Sequence, residues 1–378
     1  MKIPMKHLIP AATCLLVAGA LMAPALAQDT TDSIKIKTNG ETKVISDVTV
    51  QSAGYDKVVY TVKGKSREAK GDLVVSIKWG DAPDGYLKGL SAVKAGEGEK
   101  SRKLFQSCLD EQLAGDLRKW IVEYSQLGLG DSYALLGLTD AGQYKKAIAA
   151  YEAAKKANPK SHLLDRILLG LSSAQAASGN SAGAVSAAKE LLTAARTVRN
   201  VDWELSALSQ QARTQLAAGQ HAEAGRSYNT AMRAAETALT TEKDAAKRRR
   251  FERARVSSAA AEGWVLITKA ESSKSKSDWG KARDFFNKLP SKFGKNSGVL
   301  AAKNNAMGVI KLSTGDAEGA RRLFVYTEVN YFSVGDEVAR SLYYQAACWK
   351  QLGNDEERDA RIRDLKEYYP RSEWAQKL

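Results

Sequence analysis

The sequence predicts a mainly α-helical chain, an α-solenoid of stacked helical hairpins preceded by a small β module. Three observations carry this. A small-then-aromatic spacing recurs along most of the chain, prolines number only 7 in 378 residues, and the hydrophobic period changes from two to helical near residue 81. The length exceeds one ordinary domain. Alanine-rich runs such as 147–154 and 259–261, with abundant Leu, Lys, Glu and Arg, favour an extended array of close-packed helices over several compact domains.

Residues 1–27 read as a signal peptide. Lys2 and Lys6 form a positive start, residues 8–22 are largely apolar, and Ala25-Leu26-Ala27 offers small residues for cleavage. Cys14 lies inside the apolar core after Ala11-Ala12-Thr13, without the leucine and small residues of a lipid-attachment signal. No later stretch approaches the roughly 18–20 apolar residues that span a bilayer. The mature chain, starting near Gln28, is therefore expected in the periplasm or outside the cell, with no transmembrane span. It keeps two cysteines, Cys108 and Cys348, which the reading takes as separate buried thiols because an elongated fold would hold them far apart. With two histidines, His162 and His221, and no C-x-x-C or H-x-x-x-H spacing, neither a zinc site nor any other cofactor is expected.

Residues 28–81 form the β module. Ile34-Lys-Ile36, Val44 to Val50, Val58 to Val62 and Leu73 to Trp79 alternate with period two, separated by turn signals at Asn39-Gly40, Gly54-Tyr55-Asp56, Lys63-Gly64-Lys65 and Gly71-Asp72. Four or five strands of this size make a meander or a small closed barrel, similar to the SH3-like class in size and spacing. Asp81 to Gly85 ends the pattern.

Residues 82–378 are helical, with about seven hairpins. The recurring unit is a glycine, a small residue five positions on, a bulky or aromatic residue at nine, and a small or apolar one at twelve. It reads Gly96, Ser101, Phe105, Cys108, then Gly142, Ala147, Tyr151, Ala154. Gly179, Ala184, Ala188, Leu191 is a weaker copy, and Gly219, Ala224, Tyr228, Ala231 restores it. A fifth copy keeps Ala282, Phe286 and Leu289, a sixth reads Gly315, Ala320, Phe324, Thr327, and the last is the degenerate Gly353, Arg358, Ile362, Leu365. Twelve positions before the small residue stands another: Gly89, Ser172, Ala212, Ala270, Gly308 and Ala346, with Leu135 the exception. Short side chains let two helices approach, so these pairs are expected at the hairpin crossings. The intervening glycine is expected to end the first helix in the left-handed conformation, and the aromatic to fill the gap towards the next hairpin.

The copy Gly142-x-Tyr144-x-x-Ala147-x-x-x-Tyr151-x-x-Ala154, ending at Pro159, resembles the second half of the tetratricopeptide repeat. The likeness extends with falling fidelity over residues 86–370, where Pro370 takes the same terminal place and Tyr368-Tyr369-Pro370 looks like repeat ends of bacterial envelope proteins of this class. The resemblance implies a right-handed superhelix of hairpins whose first helices line a groove that binds proteins or peptides. Two departures stand: successive small residues are 46, 37, 40, 58, 38 and 38 apart, against the family's 34, and the first-helix Trp and Leu-Gly pattern is mostly absent. Longer helices, especially over 117–137 and 242–271, account for the excess; an unrelated helical solenoid is the structural alternative.

No phosphate loop, nucleophile elbow or paired-carboxylate motif is present in a supporting context, so no catalytic residue is nominated and the chain reads as non-enzymatic. Gly128-Leu-Gly130-Asp and residues 137–142 are read as glycines at helix junctions, and His221 as a packing residue in the slot of Tyr144 and Trp279. The formal charge is +14, or +12 without Lys2 and Lys6, and most of it lies in residues 243–303, with sixteen Lys or Arg against six Asp or Glu. Lys247, Arg248, Arg249, Arg250, Arg253 and Arg255 spread around their helix, so a solvated face competes with contact to an anionic partner, an envelope polymer or lipid. Nucleic acid is chemically competent there, but export disfavours it. The expected function is a scaffold or adaptor for other proteins, with an anionic-polymer binder as the alternative. The β module either recruits a second partner or caps the array.

Overall fold

The computed structural model describes residues 31–38, 41–115, 118–370 and 372–378, so residues 1–27, read as a signal peptide, and the Asn39-Gly40 turn signal lie outside the described residues.

Five strands, β1 (Asp32–Thr38), β2 (Glu41–Ala53), β3 (Lys57–Val62), β4 (Lys65–Lys70) and β5 (Val74–Lys78), form one antiparallel sheet in the order β4-β3-β2-β1-β5. β2 is long because it serves two partners. Its first half pairs with β1 up to Val48, and its second half pairs with β3 from Val48 to Ala53. The strand changes partner beside Asp47, whose φ of 56° is left-handed. A 3₁₀ turn at Gly71–Leu73 then carries the chain back so that β5 pairs with β1. Among the described residues the edge strands β4 and β5 do not pair with each other, so the sheet is open and not a closed barrel, with β1 to β4 as a meander and β5 added beside β1. β4, Lys-Ser-Arg-Glu-Ala-Lys, has no apolar alternation to announce it; charge at this edge discourages pairing with another chain.

Fourteen helices follow among the described residues, arranged as seven hairpins. They are α1 (Asp84–Ala95) with α2 (Gly98–Leu113), α3 (Trp120–Gly137) with α4 (Gln143–Ala157), α5 (Leu164–Ala177) with α6 (Ser181–Val198), and α7 (Val201–Ala217) with α8 (His221–Thr241). Then come α9 (Ala245–Ser273) with α10 (Lys276–Phe293), α11 (Ser297–Ser313) with α12 (Ala317–Asn330), and α13 (Gly335–Gln351) with α14 (Asp355–Tyr368). The 21-residue α8 and 29-residue α9 account for the longest spacing, the 58 positions from Ala224 to Ala282. The two helices of each pair pack against each other as a hairpin.

Gly96, Gly179, Gly219, Gly315 and Gly353 turn the chain between paired helices with φ of 73° to 88°, which costs a residue with a Cβ. Gly142 departs from the expectation. Its φ is −61°, and it opens α4 in a turn where Asp140 accepts its N–H at 3.0 Å.

The aromatics enter the core by a rule the spacing only half showed. A Cβ on Gly89 of α1 would lie 2.9 Å from the Phe105 ring, and one on Gly128 of α3 would lie 2.5 Å from it. Phe105 is thus clasped between the first helices of its own hairpin and the next. Tyr151 sits in the same way between Gly130 of α3 and Gly170 of α5, each of which would bring a Cβ within 2.5 Å of its ring. Phe286 rests on Gly263 and Phe324 on Gly308. Gly128 and Gly130 therefore stand inside α3, both buried, and not at a helix junction as their spacing suggested. The small residues do meet at crossings: Ser172 Oγ donates to the Ala184 carbonyl at 2.8 Å, and Ser101 and Ser132 hydroxyls lie 2.7 Å apart between α2 and α3. Cys108 and Cys348 are free and buried in separate clusters, burial pushing their thiols up to about 11 and about 12.

Candidate functional site

The first helices of successive hairpins are joined by polar rungs. Arg166 of α5 meets Asp131 of α3 at 3.1 Å, and Asp131 also accepts the Tyr151 hydroxyl at 2.8 Å. Gln210 of α7 donates to Ser173 of α5 at 3.2 Å. Asn305 of α11 donates to the Glu337 carboxylate of α13 at 2.8 Å, and the Arg340 guanidinium of α13 lies 3.8 Å from the Trp264 ring of α9. These contacts link α3, α5 and α7 in one group and α9, α11 and α13 in another, and the chain itself covers the outer end of each.

The β module covers the amino-terminal end. Ile34, Val48, Val50, Val58 and Tyr60 share a core with Tyr86, Phe105, Ile121, Tyr124 and Leu129, so α3 exposes no residue along its length. Hydrophobicity on all sides of a helix implies burial on all sides, and here the sheet supplies the second cover. The joint is locked by Arg118, just before α3. Its guanidinium bonds Asp81 at 2.5 and 2.6 Å and Asp32 at 2.6 and 3.1 Å. Asp32, 1% exposed, also accepts the Val50 and Gly80 N–H groups, so its charge is fully bonded. Arg118 and the Trp120 indole N–H together hold the Asp81 carboxyl below the usual range against the opposing effect of burial. Trp79 and Trp120 stack at 4.8 Å beside them.

A second joint lies where the β2–β3 turn meets the α4–α5 loop. Glu123 is buried and accepts the Ser161 hydroxyl and the Asn158 amide, the latter at 2.9 Å; burial raises its carboxyl above the ordinary value. The His162 and Asn158 groups bond the Ala53 carbonyl, and Tyr55 N–H donates to the Lys160 carbonyl at 2.7 Å. His162 faces the Tyr124 hydroxyl at 3.2 Å, and burial lowers its imidazole to about 4, so it is neutral near pH 7. Serine, histidine and glutamate thus gather in one place, but the Ser161 hydroxyl is spent on Glu123 and the group is buried beneath the sheet: it is a bolt. Beyond it Tyr55 reaches α7, edge-on to Trp203 at 6.1 Å.

The carboxy-terminal end is covered by residues 372–377. Trp374, 7% exposed, packs on Tyr343 and Tyr344 at 5.2 and 5.7 Å and against the Arg340 guanidinium at 5.0 Å.

Ala147, Ala154, Ala184, Ala212, Ala224, Ala282 and Ala320 are fully buried, Tyr228 is buried, Tyr144 backs Gly137, and Pro159 is exposed in the α4–α5 loop. His221 is half-buried at the start of α8. The basic cluster is mostly consumed by the fold. Arg248 donates to the Leu239 and Glu242 carbonyls at 2.7 and 2.9 Å, closing the end of α8. Arg250 pairs with Asp202 at 3.1 Å, Arg255 with Glu252 at 2.7 Å, and Lys247 stands 3.8 Å from Glu242. Arg249 and Arg253 have no carboxylate partner among the described residues and are exposed. A shallow depression of about 440 Å³ near the α3–α4 turn is lined by Glu99, Arg102, Asp140 and Lys146, but Glu99 and Arg102 bond each other and Asp140 bonds Gln143.

Gly128 and Gly130 were read from the sequence as junction glycines, and the clasping Gly170 and Gly263, the Arg118 lock and the Trp374 seat were not singled out. A signal existed for the glycines, since glycine inside a helical pattern marks a close approach.

No family model and no curated protein matches the chain. Among solved structures it is similar to a tetratricopeptide repeat protein from Parabacteroides merdae, at 12% identity over 78% of this chain and 97% of that one, with a TM-score of 0.45. The apo form of RapI matches at 13% identity over 76% of each chain with a TM-score of 0.44, and NprR in complex with its cognate peptide NprX at 12% over 79% and 82% with 0.43. Likeness at this level is a matter of helical-repeat architecture.

Proposed function

We propose that the protein is an exported, non-enzymatic adaptor that binds another protein or a peptide along its first-helix face, in the stretch left open between the β module and Trp374. The observation that supports this reading is the row of rungs at Asp131–Arg166 and Ser173–Gln210. Stacked first helices present such side chains in a line to solvent, where a bound segment exchanges hydrogen bonds with them without any covalent step. The β module acts as the cap of the array, since its apolar face is spent on α3. Export to the periplasm or beyond is part of the proposal and rests on Lys2, Lys6 and the apolar run to Ala27.

The second reading, binding of an anionic envelope polymer, rests on Arg249 and Arg253, which are exposed and, among the described residues, have neither a carboxylate partner nor the pair of helix-end carbonyls that holds Arg248. Cross-linking of the full chain in intact cells, followed by mass spectrometry, tests the first reading. Adducts between one recurring partner and α5 or α7 are expected; no adduct where other envelope complexes are captured overturns it.

A further inference from the structure

We propose that the seat of Trp374 is a recognition pocket for an aromatic residue carried on a short basic segment of a partner protein, with residues 372–377 as its exchangeable occupant. The inference rests on the reading of the first-helix face as a binding surface and names the chemistry taken at one end of it.

The seat is built without Trp374. Asn305 donates to the Glu337 carboxylate at 2.8 Å, Arg340 donates to Glu337 at 2.6 Å, and the guanidinium carbon lies over the Trp264 ring, 3.8 Å from its centre. Three elements, α9, α11 and α13, therefore hold one cation face and the Tyr343 and Tyr344 rings in place. A planar aromatic ring on that face gains a cation–π contact and apolar cover together.

The occupant is attached as a ligand would be. Among the described residues, every backbone hydrogen bond of residues 372–377 is local: Ser372 N–H to Tyr369 O at 3.0 Å, Ala375 N–H to Ser372 Oγ at 3.1 Å, and Lys377 N–H to Trp374 O at 3.3 Å. Among the described residues no backbone bond ties the segment to α9, α11 or α13, and its contact with α13 is made by the Trp374 side chain. The fit is also incomplete. Trp264 Nε1 and Arg340 Nε are buried at the seat with no acceptor among the described residues. An occupant that places a carbonyl or carboxylate there satisfies donors that Trp374 leaves bare. Lys377 lies 3.9 Å from the Trp374 ring, which gives the accompanying basic residue its place.

The test uses the full chain and a fluorescein-labelled peptide of residues 369–378, Tyr-Pro-Arg-Ser-Glu-Trp-Ala-Gln-Lys-Leu. Trp374→Ala vacates the seat, and fluorescence anisotropy should show it binding the peptide at least about tenfold more tightly than the unaltered chain, because the competing occupant is gone. Adding Arg340→Met should abolish that gain. A folded Trp374→Ala chain that does not bind the peptide overturns the proposal. If Trp374→Ala does not fold, amide hydrogen exchange in the unaltered chain decides: residues 372–377 should exchange through openings at least about 100-fold more frequent than those of α13. Exchange of both only by a common opening would make the segment plain core and overturn the proposal. Failure here with adducts still forming at α5 and α7 would leave the adaptor reading intact.

Discussion

The ring of Phe105 lies so close to the backbone of Gly128 that a Cβ there would stand 2.5 Å from it. Phe105 is fully buried, so the contact joins the first hairpin to the second without a gap. Gly128→Ala should therefore destabilise the chain by about 2 kcal/mol despite the better helix propensity of alanine, because overpacking outweighs it. Gly225, inside α8 with open space around it, is the control: Gly225→Ala should stabilise by about 0.5–1 kcal/mol. Urea unfolding of the two variants checks the sign of each.

Arg118 is the link between the sheet and the helices, and Asp32 beneath it is almost wholly buried. Arg118→Ala should cost about 2 kcal/mol, less than a fully buried pair, since the guanidinium is partly exposed and two backbone N–H groups still bond Asp32. The loss should show first as a fall in the near-ultraviolet dichroism of the stacked Trp79 and Trp120. An unchanged spectrum and midpoint would contradict the assignment of this residue as the lock.

His162 sets a pH dependence of known sign. Its imidazole falls from 6.5 to about 4 on folding, so the unfolded chain binds the proton first as pH drops. The stabilisation is fully present above 6.5 and is lost as pH falls towards 4, by an amount of about 3 kcal/mol. Glu123 runs the other way: burial raises its carboxyl, so its contribution is greatest below 4.5 and declines as pH rises through the folded value. The difference in stability between the parent and His162→Gln should thus shrink between pH 7 and pH 4.5. A constant difference across that range would show that the ring is not the titrating group.

The basic cluster separates into structural and free cations. Arg248→Ala removes two carbonyl contacts at the end of α8 and should cost about 1 kcal/mol. Arg249→Gln with Arg253→Gln should change stability by less than about 0.5 kcal/mol, yet this double variant should carry any loss of retention on a polyanion column. Retention equal to the parent's would sink the polymer reading.

The hairpins were legible because close helix packing constrains both partners: small residues at the crossing and an aromatic four positions on leave a one-dimensional trace in the sequence. The clasping glycines were harder to read, since Gly128 and Gly170 sit at no fixed distance from the ring they receive, and the contact spans different helices. β4 left no apolar alternation because all its side chains but that of Ala69 are exposed. The Arg118 fork joins residues 86 and 37 positions apart, and only the closing of the sheet onto α3 brings them together. The charge run was conspicuous in the sequence, but which of its members were spent could be read only from the carbonyls and carboxylates around them. Trp374 lay outside the repeat pattern, so its return to the first-helix face had no signature.

Site-specific photo-cross-linking in intact cells tests the adaptor reading most directly. A benzophenone side chain placed at Ser173 or Arg213, on α5 and α7, is compared with one at Lys189 on the second helix α6. Adducts with the same protein from the first two positions, and none from Lys189, are expected. Adducts from Lys189 alone, or none from any position while a control envelope complex is captured, would contradict the assignment of the first-helix face as the binding surface.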